Sequence, residues 1–491
     1  MQYHSTRDPS RRISASRAIS DGLSPDGGLY VPTEFPQVTS SQLKSMLTMD
    51  YRARAAFIMG LYLEEFSPEE IDAMTRAAYG SRFRDERIAP LHVLDDDTAV
   101  LELWHGPTCA FKDMALQMLP HLLTASLSKC GETRDVCILT ATSGDTGKAA
   151  LEGFCDVPRT RIVVFYPIDG VSKVQKLQMT TQQGSNVLVS GVEGNFDDAQ
   201  TGVKAIFGNR ELAARLNERG VFLSSANSMN WGRLMPQIAY YFSAYCDYVN
   251  AGNLRLGEKL DFCVPTGNFG NILAGWIAGR MGLPVGRYLC ASNANNVLTD
   301  FIRTGVYDRN RPFHTTISPS MDILISSNLE RLLYFMSGSA DEVRGYMASL
   351  SENGRYDVSG RVRAGVQSDF EGGFCDDAET RQTIERVFRD HRYLADPHTA
   401  VALHVLEASR EKTGERRPCV VLSTASPYKF ADDVLSALGG SARAEDALPA
   451  LAAATGTEVP APLADLRSRA VRFDGCVRRE EMLPLVERYL S

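Results

Sequence analysis

The length, composition and charge of the chain exclude several classes of protein. At 491 residues it is too long for one hydrophobic core, so two or three domains are expected. A hydrophobic content of 44% is ordinary for a soluble globular protein, and no apolar run is long enough to span a membrane. The net charge of -8 argues against a nucleic-acid-binding surface.

The arrangement of the ten cysteines indicates a reducing cellular compartment. They form no CxxC pair and no cluster with histidine at zinc-binding spacing. Reduced thiols, a cytoplasmic location and no metal site are therefore expected. The Arg- and Ser-rich residues 1–20 could be taken for a transit peptide, but Asp8 and the lack of a clean apolar face argue against that alternative.

Residues 1–97 are predicted to form a mostly helical N-terminal region. A Gly-rich bend runs into a short strand over residues 24–32, and helices are predicted over residues 40–61 and 67–79. Ser67 and Pro68 suit the N-cap and the first turn of the second helix. No catalytic constellation is evident in this region.

One lysine, Lys112, is predicted to lie at the N-terminus of a helix that begins at Asp113. A Gly-Pro turn and Phe111 precede it, and apolar residues follow at helical spacing. The positive end of a helix dipole disfavours an ammonium group, and a neutral amine can form a Schiff base. The plain alternative for any single lysine is an exposed surface position.

From residue 98 onward, short apolar strands alternate with helices. This alternation of strands and helices is typical of βαβ units and buried parallel sheets. The predicted strands cover residues 99–103, 135–140, 161–166, 187–190 and 221–224, with two more beginning near 260 and 418. The predicted helices cover residues 148–154, 171–183, 197–207 and 271–282. Two α/β domains are expected at 98–250 and 251–440, followed by a linker and C-terminal helix at 441–491.

Three loops that follow predicted strands have compositions suited to anions or polar rings. Residues 266–271 (TGNFGN) could cradle a phosphate, although a plain tight turn would look the same. Residues 142–148 (TSGDTGK) fail the Walker pattern at Thr142 and Ala149, and suit either a carboxylate cradle or a simple helix cap. Residues 423–426 (STAS) offer hydroxyls for a ring nitrogen, or merely cap a turn.

In this order, the lysine turn, the two glycine loops and the late Ser-Thr-Ala resemble the longer-chain threonine synthases. That family has the fold-type II architecture of pyridoxal-phosphate enzymes, which is tryptophan synthase β-like. The resemblance implies two parallel-sheet α/β domains and an N-terminal helical region. The matching segments are residues 3–7, 25–32, 105–108, 111–113, 143–147, 192–194, 196–198, 227–236, 264–270, 321–331 and 396–401.

The resemblance implies roles for particular residues. Lys112 would hold pyridoxal 5'-phosphate as a Schiff base, and Thr424 would meet the pyridine nitrogen. The other implied cofactor contacts are Asp145, Gly267, Asn268, Phe269, Gly270 and Asn271. The implied contacts to the substrate carboxylate are Ser143, Gly144, Asp145 and Thr146. Two residues depart from the family, which often has histidine at Ser426 and aspartate at Asn271.

The implied reaction converts O-phospho-L-homoserine and water to L-threonine and phosphate, with Lys112 as the base for the Cα proton. Candidates for binding the substrate phosphate, each equally readable as a structural polar residue, are Ser172, Arg233, Asn328, Arg331 and Lys429. A serine/threonine dehydratase or phospho-lyase that releases a keto acid and ammonia is the alternative within the fold. A non-catalytic paralogue is a further one. The expected assembly is a monomer or homodimer.

Overall fold

The computed structural model describes residues 1–142, 144–168, 171–443 and 446–491. Within these ranges the chain forms two larger β-sheets covered by helices, with two small two-stranded sheets. All ten cysteines are free thiols. None of the helices in the described ranges has the length and hydropathy that crossing a membrane requires.

The strands are short and mostly buried. They are β1 (Tyr3–Ser5), β2 (Tyr30–Pro32), β3 (Leu91–Val93), β4 (Thr98–Glu102), β5 (Asp135–Ala141), β6 (Thr160–Pro167), β7 (Val187–Val192), β8 (Val221–Ser224), β9 (Leu260–Pro265), β10 (Val285–Ser292), β11 (Val306–Asp308), β12 (Arg355–Asp357), β13 (Phe370–Phe374), β14 (Cys419–Ser423) and β15 (Cys476–Val477).

Helices make up most of the remainder. In the first half of the chain they are α1 (Ala15–Asp21), α2 (Ser40–Met46), α3 (Tyr51–Gly60), α4 (Pro68–Ala78), α5 (Asp113–Leu116), α6 (Leu119–Lys129), α7 (Asp145–Phe154), α8 (Lys173–Thr180), α9 (Phe196–Phe207), α10 (Arg210–Glu218), α11 (Trp231–Leu234) and α12 (Pro236–Asn250).

In the second half they are α13 (Gly270–Arg280), α14 (Val297–Thr304), α15 (Leu329–Ser337), α16 (Ala340–Asn353), α17 (Gly360–Asp369), α18 (Asp377–His391), α19 (Pro397–Thr413), α20 (Ala431–Ala437), α21 (Ala447–Thr455), α22 (Ala461–Ala464) and α23 (Met482–Tyr489). Short 3-10 turns cover Pro319–Met321, Pro427–Phe430 and Arg479–Glu481.

The larger sheet has the strand order β13-β10-β9-β14-β4-β3 and is parallel except for β3 at its edge. From the sequence, the strand before Lys112 is predicted to start the first α/β domain. In the structure this strand, β4, pairs with β14 instead and joins the larger sheet. The larger sheet is therefore assembled from distant segments, while the domain boundaries at 98, 251 and 441 stay a prediction.

The smaller sheet has the order β15-β7-β6-β5-β8 and is parallel throughout. Its central strands are buried on both faces, as a parallel sheet requires. On β5, Cys137 and Leu139 pack into the hydrophobic cluster formed with α9, α10 and α23, whereas Ile138 faces the main core. This alternation explains why the sequence shows a continuous apolar run rather than a polar-apolar repeat.

The N-terminal region contains four helices, α1 to α4, which pack against the main core, while its predicted boundary at residue 97 stays a prediction. The helix predicted over residues 40–61 is in fact two helices, α2 and α3. Asp50 separates them because its carboxylate caps the backbone N–H of Ala53. Ser67 caps α4 through a reciprocal capping box with Glu70, which confirms the predicted start of that helix.

Candidate active site

Three loops meet at one edge of the larger sheet. The lysine turn follows β4, residues 424–426 follow β14, and the glycine loop (residues 266–270) follows β9. Because β9, β14 and β4 are adjacent and parallel, their carboxyl ends lie side by side. Asp145, in the loop that follows β5 of the smaller sheet, reaches this edge, since its Oδ2 lies 3.6 Å from Lys112 Nζ. The sheet topology thus brings the four predicted loops together.

Lys112 lies at the N-terminus of α5, as predicted. The turn before it is tied to the strand β14: Phe111 N donates to Thr424 O at 2.8 Å, and Ser426 N donates to Cys109 O at 3.0 Å. The Lys112 side chain is only 10% exposed, so the surface-lysine alternative is wrong.

The Lys112 amine has a lowered pKa, in the direction the sequence predicted but for a different main reason. The pKa of Lys112 is lowered to about 8: burial is the largest cause, the charges of Lys429 and Arg233 act in the same direction, and Asp145 opposes them. The helix α5 has only four residues, so its dipole is small. A neutral amine is thus accessible close to neutral pH, which nucleophilic chemistry at Lys112 requires.

Asp145 is the carboxylate that holds this cationic cluster together. Its Oδ1 lies 2.5 Å from Lys429 Nζ and accepts a hydrogen bond from Gln175 Nε2 at 2.8 Å. Its Oδ2 lies 3.6 Å from Lys112 Nζ. Burial alone would raise the pKa of Asp145, but the charges of Lys429 and Lys112 outweigh it and lower that pKa. Asp145 is therefore ionised and links Lys112 to Lys429.

Lys429, a candidate for the substrate phosphate, is fully buried. Besides Asp145, its Nζ donates to Thr108 O at 3.1 Å. Arg233, a second candidate, is also buried; it donates to Ala226 O at 2.7 Å and more weakly to Thr146 Oγ1 at 3.5 Å. Both cations lie near Lys112, whereas their contact with a substrate stays a prediction.

The glycine loop approaches its neighbours too closely for side chains. A Cβ at Gly267 would lie 2.8 Å from Ser320 O, so only glycine fits there. Phe269 adopts a left-handed conformation with φ of 62° where α13 begins. The Asn268 carbonyl accepts from Asn328 N at 3.0 Å and from Asn328 Nδ2 at 3.1 Å. The loop is thus held rigidly at a helix N-terminus, a position suited to a phosphate.

Asn271 leaves a buried donor without a partner. Its Oδ1 accepts from Tyr240 OH at 2.6 Å and from Tyr241 OH at 2.8 Å. Its Nδ2 has no hydrogen-bond partner among the described residues, although Asn271 is only 7% exposed. A buried donor of this kind is costly unless a ligand satisfies it. The residues of the glycine loop and Lys112 therefore fit pyridoxal phosphate.

Arg331 and Asn328 are joined to each other. Arg331 is fully buried and donates to Asn328 Oδ1 at 2.6 Å, to Tyr30 O at 3.0 Å and to Met229 O at 2.6 Å. These contacts tie the N-terminal strand β2 to α15 and orient Asn328 against the glycine loop. Both residues thus support that loop, and their predicted binding of the substrate phosphate stays untested.

Two backbone N–H groups of the loop after β5 donate to a side chain of the same loop. Thr142 Oγ1 accepts from Gly144 N at 3.0 Å and from Gly147 N at 2.9 Å. Ser143, a predicted substrate contact, lies outside the described residues. Gly144 directly precedes Asp145, and Thr146 Oγ1 lies 3.5 Å from a terminal nitrogen of Arg233; their predicted contact with the substrate carboxylate stays a prediction.

Ser172 is the N-cap of α8, where its Oγ accepts from Gln175 N at 3.2 Å. The sequence signal for this role was present, because Ser172 and Gln175 have capping-box spacing. Thr424 is buried at the end of β14, where its carbonyl accepts from Phe111 N, and its predicted contact with the pyridine nitrogen stays a prediction. Ser426 is fully buried and caps the following 3-10 turn through Tyr428 N.

Sequence reasoning missed two residues that contact this cluster. Gln175 holds Asp145, and Ser320 lies between the lysine and that carboxylate, with its Oγ 3.2 Å from Lys112 Nζ. Gln175 could have been noticed only as a capping residue. Ser320 has no local signal, because its role depends on contacts between segments far apart in the chain.

Three family models match the chain in order. They are "Threonine synthase N terminus" over residues 2–79, "Pyridoxal-phosphate dependent enzyme" over residues 98–425, and "Threonine synthase, C-terminal" over residues 399–483. The middle model alone covers more than half of the chain. The first model covers the matching segments 3–7 and 25–32, and the middle model covers Lys112 and both glycine loops.

Individual proteins give the same result. Threonine synthase of Pseudomonas aeruginosa is 37% identical over 496 aligned residues, covering 100% of this chain and 98% of that protein. Threonine synthase-like 1 of Homo sapiens is 40% identical over 88% of this chain, which spans 59% of the length of that relative.

Two solved structures match the whole chain. PLP-bound threonine synthase from Brucella melitensis has a TM-score of 0.88 and 39% identity, covering 100% of this chain and 98% of that one. Threonine synthase from yeast has a TM-score of 0.90 and 34% identity, with the same coverage. The predicted fold class and the predicted resemblance are confirmed.

Proposed function

The chain belongs to the threonine synthase family of pyridoxal-phosphate-dependent enzymes, and on that premise we propose that it converts O-phospho-L-homoserine and water into L-threonine and inorganic phosphate. The reaction is that of a phosphate-eliminating lyase and completes threonine biosynthesis. We place it in the cytoplasm, as a monomer or homodimer whose ligands are small molecules.

The observation that carries this proposal is the charge of the site. Lys112, Lys429 and Arg233 lie together. Among the described residues, Asp145 is the carboxylate that lies next to Lys112 and Lys429. Buried cations in excess of carboxylates are costly unless an anion joins them. A substrate that carries both a carboxylate and a phosphate meets this requirement better than a singly charged amino acid does.

The proposed roles follow from where each side chain lies. Pyridoxal phosphate, when bound, supplies the electron sink for the reaction. Lys112 would hold it covalently and, once released, take the Cα proton of the substrate with its amine. The glycine loop and Asn271 Nδ2 would hold the cofactor phosphate, and Thr424 the ring nitrogen. Residues 143–146 would hold the substrate carboxylate.

The remaining cations suit the substrate phosphate. Arg233 has only a weak contact at 3.5 Å from one of its terminal nitrogens to Thr146, so that nitrogen is available to a ligand. Lys429 contributes its charge while it stays paired with Asp145. Ser172, Asn328 and Arg331 remain candidates, although each already has a structural partner.

The test is a product assay on the purified chain with pyridoxal phosphate and O-phospho-L-homoserine. Threonine and phosphate are measured in the same samples, with Lys112→Ala alongside. We expect equal amounts of the two products from the wild type and no turnover from the variant.

Two results would contradict the proposal. Phosphate released together with a keto acid and ammonia, without threonine, would assign the chain to the phospho-lyases. No turnover, in a protein that binds pyridoxal phosphate normally, would mean that the substrate is a different one.

A further inference from the structure

Ser320 bridges the two central groups of the site. Its hydroxyl accepts a hydrogen bond from Lys112 Nζ at 3.2 Å and donates one to Asp145 Oδ2 at 3.3 Å. The direct separation of Lys112 Nζ and Asp145 Oδ2 is longer, at 3.6 Å. The contact between the lysine and its carboxylate therefore runs partly through this hydroxyl.

The backbone of Ser320 is fixed by a histidine. Ser320 N donates to His398 Nε2 at 3.1 Å, and His398 Nδ1 lies 2.7 Å from Asp396 Oδ1. Because Nε2 accepts from a backbone N–H, the proton of the neutral imidazole must be on Nδ1, which donates it to Asp396. His398 and Asp396 are at most 1% exposed, so water does not compete for these bonds.

Asp396 is itself held by the start of α19. It is the N-cap of that helix, and its carboxylate accepts from His398 N at 2.9 Å and from the Thr399 hydroxyl. Thr399 Oγ1 also lies 3.0 Å from Ser423 Oγ, at the end of β14. The 17-residue helix and the sheet edge together fix the imidazole, and through it Ser320.

The other side of Ser320 touches the glycine loop. The 3-10 turn Pro319–Met321 places Ser320 O where a Cβ on Gly267 would lie only 2.8 Å away. Ser320 thus contacts the lysine with its side chain and the proposed phosphate loop with its backbone. A shift of this turn would disturb both.

We propose that Ser320 is a further catalytic residue, whose hydroxyl stabilises the charged form of the Lys112 amine and directs it, and that Asp396 and His398 are positioning residues that hold Ser320 in place. The proposal rests on the proposed function for its catalytic meaning. When Lys112 takes the Cα proton, that proton stays on Nζ, and Ser320 Oγ accepts a hydrogen bond from the resulting ammonium.

Loss of the hydroxyl has a measurable consequence. Without Ser320 Oγ the ammonium loses a hydrogen-bond acceptor, so the pKa of Lys112 should fall from about 8 toward about 7 in Ser320→Ala. At pH 7 the neutral fraction of the amine, and with it the rate of acylation, should rise about fivefold. In the loaded enzyme, kcat should fall while KM changes little.

The experiment is competitive labelling of amines with acetic anhydride, resolved by peptide mass spectrometry between pH 6 and 10. It uses the full-length chain freed of cofactor. Ser320→Thr keeps a hydroxyl and should restore the wild-type profile. Ser318→Ala is the matched control, because Ser318 is a buried serine in the same segment whose hydroxyl contacts Asn293 rather than Lys112.

The histidine is tested in the same way. His398 does not contact Lys112, but His398→Ala should shift the labelling profile of Lys112 in the same direction as Ser320→Ala. His398→Gln should shift that profile less, because the amide oxygen of glutamine can accept from Ser320 N. A Lys112 profile in Ser320→Ala that coincides with the wild type would overturn the proposal. A wild-type profile in His398→Ala would overturn the positioning role.

The labelling needs neither substrate nor cofactor. A wild-type chain that makes no threonine would therefore contradict the proposed function, while the labelling profiles would still decide the role of Ser320.

Discussion

Two aspartates lie buried in neighbouring turns of the site, one beside Lys112 and one in the loop after β5, and their environments are opposite. Asp113 contacts the backbone N–H and the hydroxyl of Thr108, both at 2.8 Å, and burial raises its pKa to about 7. Asp145 is equally buried, but the charges of Lys429 and Lys112 lower its pKa. The same residue type is thus partly neutral in one turn and ionised in the other.

The comparison shows that a buried carboxyl group with neutral partners and one with charged partners have different roles in this site. Asp113 shapes the turn that presents Lys112, and it does so without adding much negative charge near the amine. Asp145 supplies that charge from the smaller sheet. The site keeps a positive excess because only one of the two carboxylates is fully ionised at neutral pH.

The largest expected effect comes from Asp145→Asn. The substitution leaves Lys429 fully buried without its carboxylate, so we expect the free energy of unfolding to fall by about 3–5 kcal/mol. Urea unfolding of the full-length chain at pH 7 measures it. The double variant Asp145→Asn, Lys429→Met should recover much of the loss, because Lys429, the fully buried cation, is then no longer left without a carboxylate. An Asp145→Asn variant as stable as the wild type would contradict the contrast between Asp145 and Asp113.

The raised pKa of Asp113 predicts that the free energy of unfolding depends on pH, with Asp113 stabilising the folded chain at low pH. Its pKa is about 7 in the folded chain and about 3.9 in an unfolded chain, so the folded chain binds more protons between these values. The stability that Asp113 contributes is therefore present in full below pH 4 and is lost as pH rises through 7.

The corresponding measurement compares urea unfolding of the wild type and Asp113→Asn from pH 4.5 to 7.5. We expect the advantage of the wild type to shrink by about 2–4 kcal/mol across that range. Two stability curves that run parallel would show that Asp113 does not titrate as described.

A smaller effect is expected from Gly106→Ala in the same turn. A Cβ at Gly106 would lie 2.5 Å from Asp113 Oδ2, so the carboxyl must move, at a cost of about 1–3 kcal/mol. Gly345→Ala is the matched control, because nothing lies within 4 Å of its Cβ and it sits inside α16. That control should gain up to about 1 kcal/mol in unfolding free energy. Equal changes in both variants would contradict the packing described for the lysine turn.

Local signals were enough to predict much of this fold. The apolar runs placed seven strands, β4 to β9 and β14, whereas β3, β10, β13 and β15 were not predicted. Ser67 with Pro68 placed the start of α4. The lysine turn was predictable because Asp113 and the apolar residues after it mark the first turn of a helix. Each of these features depends on residues that are close in sequence.

Features that depend on distant residues were not predictable. The sequence could not show that β4 pairs with β14, and this pairing is what brings Lys112 beside the glycine loop. Nor could it show that Lys429 would pair with Asp145, or that Ser320 would reach the amine. The lowered pKa of Lys112 was expected from a helix dipole, whereas burial is its first cause. Burial is a property of the assembled fold.

The central claim is that Lys112, among the buried lysines of this chain, is the one that binds the cofactor. Lys148 and Lys429 are also buried, but each is already paired with a carboxylate at 2.9 Å or less. The direct measurement is borohydride reduction of the chain loaded with pyridoxal phosphate, followed by peptide mass spectrometry. The account predicts one pyridoxyl group, on Lys112. A group on Lys148 or Lys429, or none on any lysine, would contradict it.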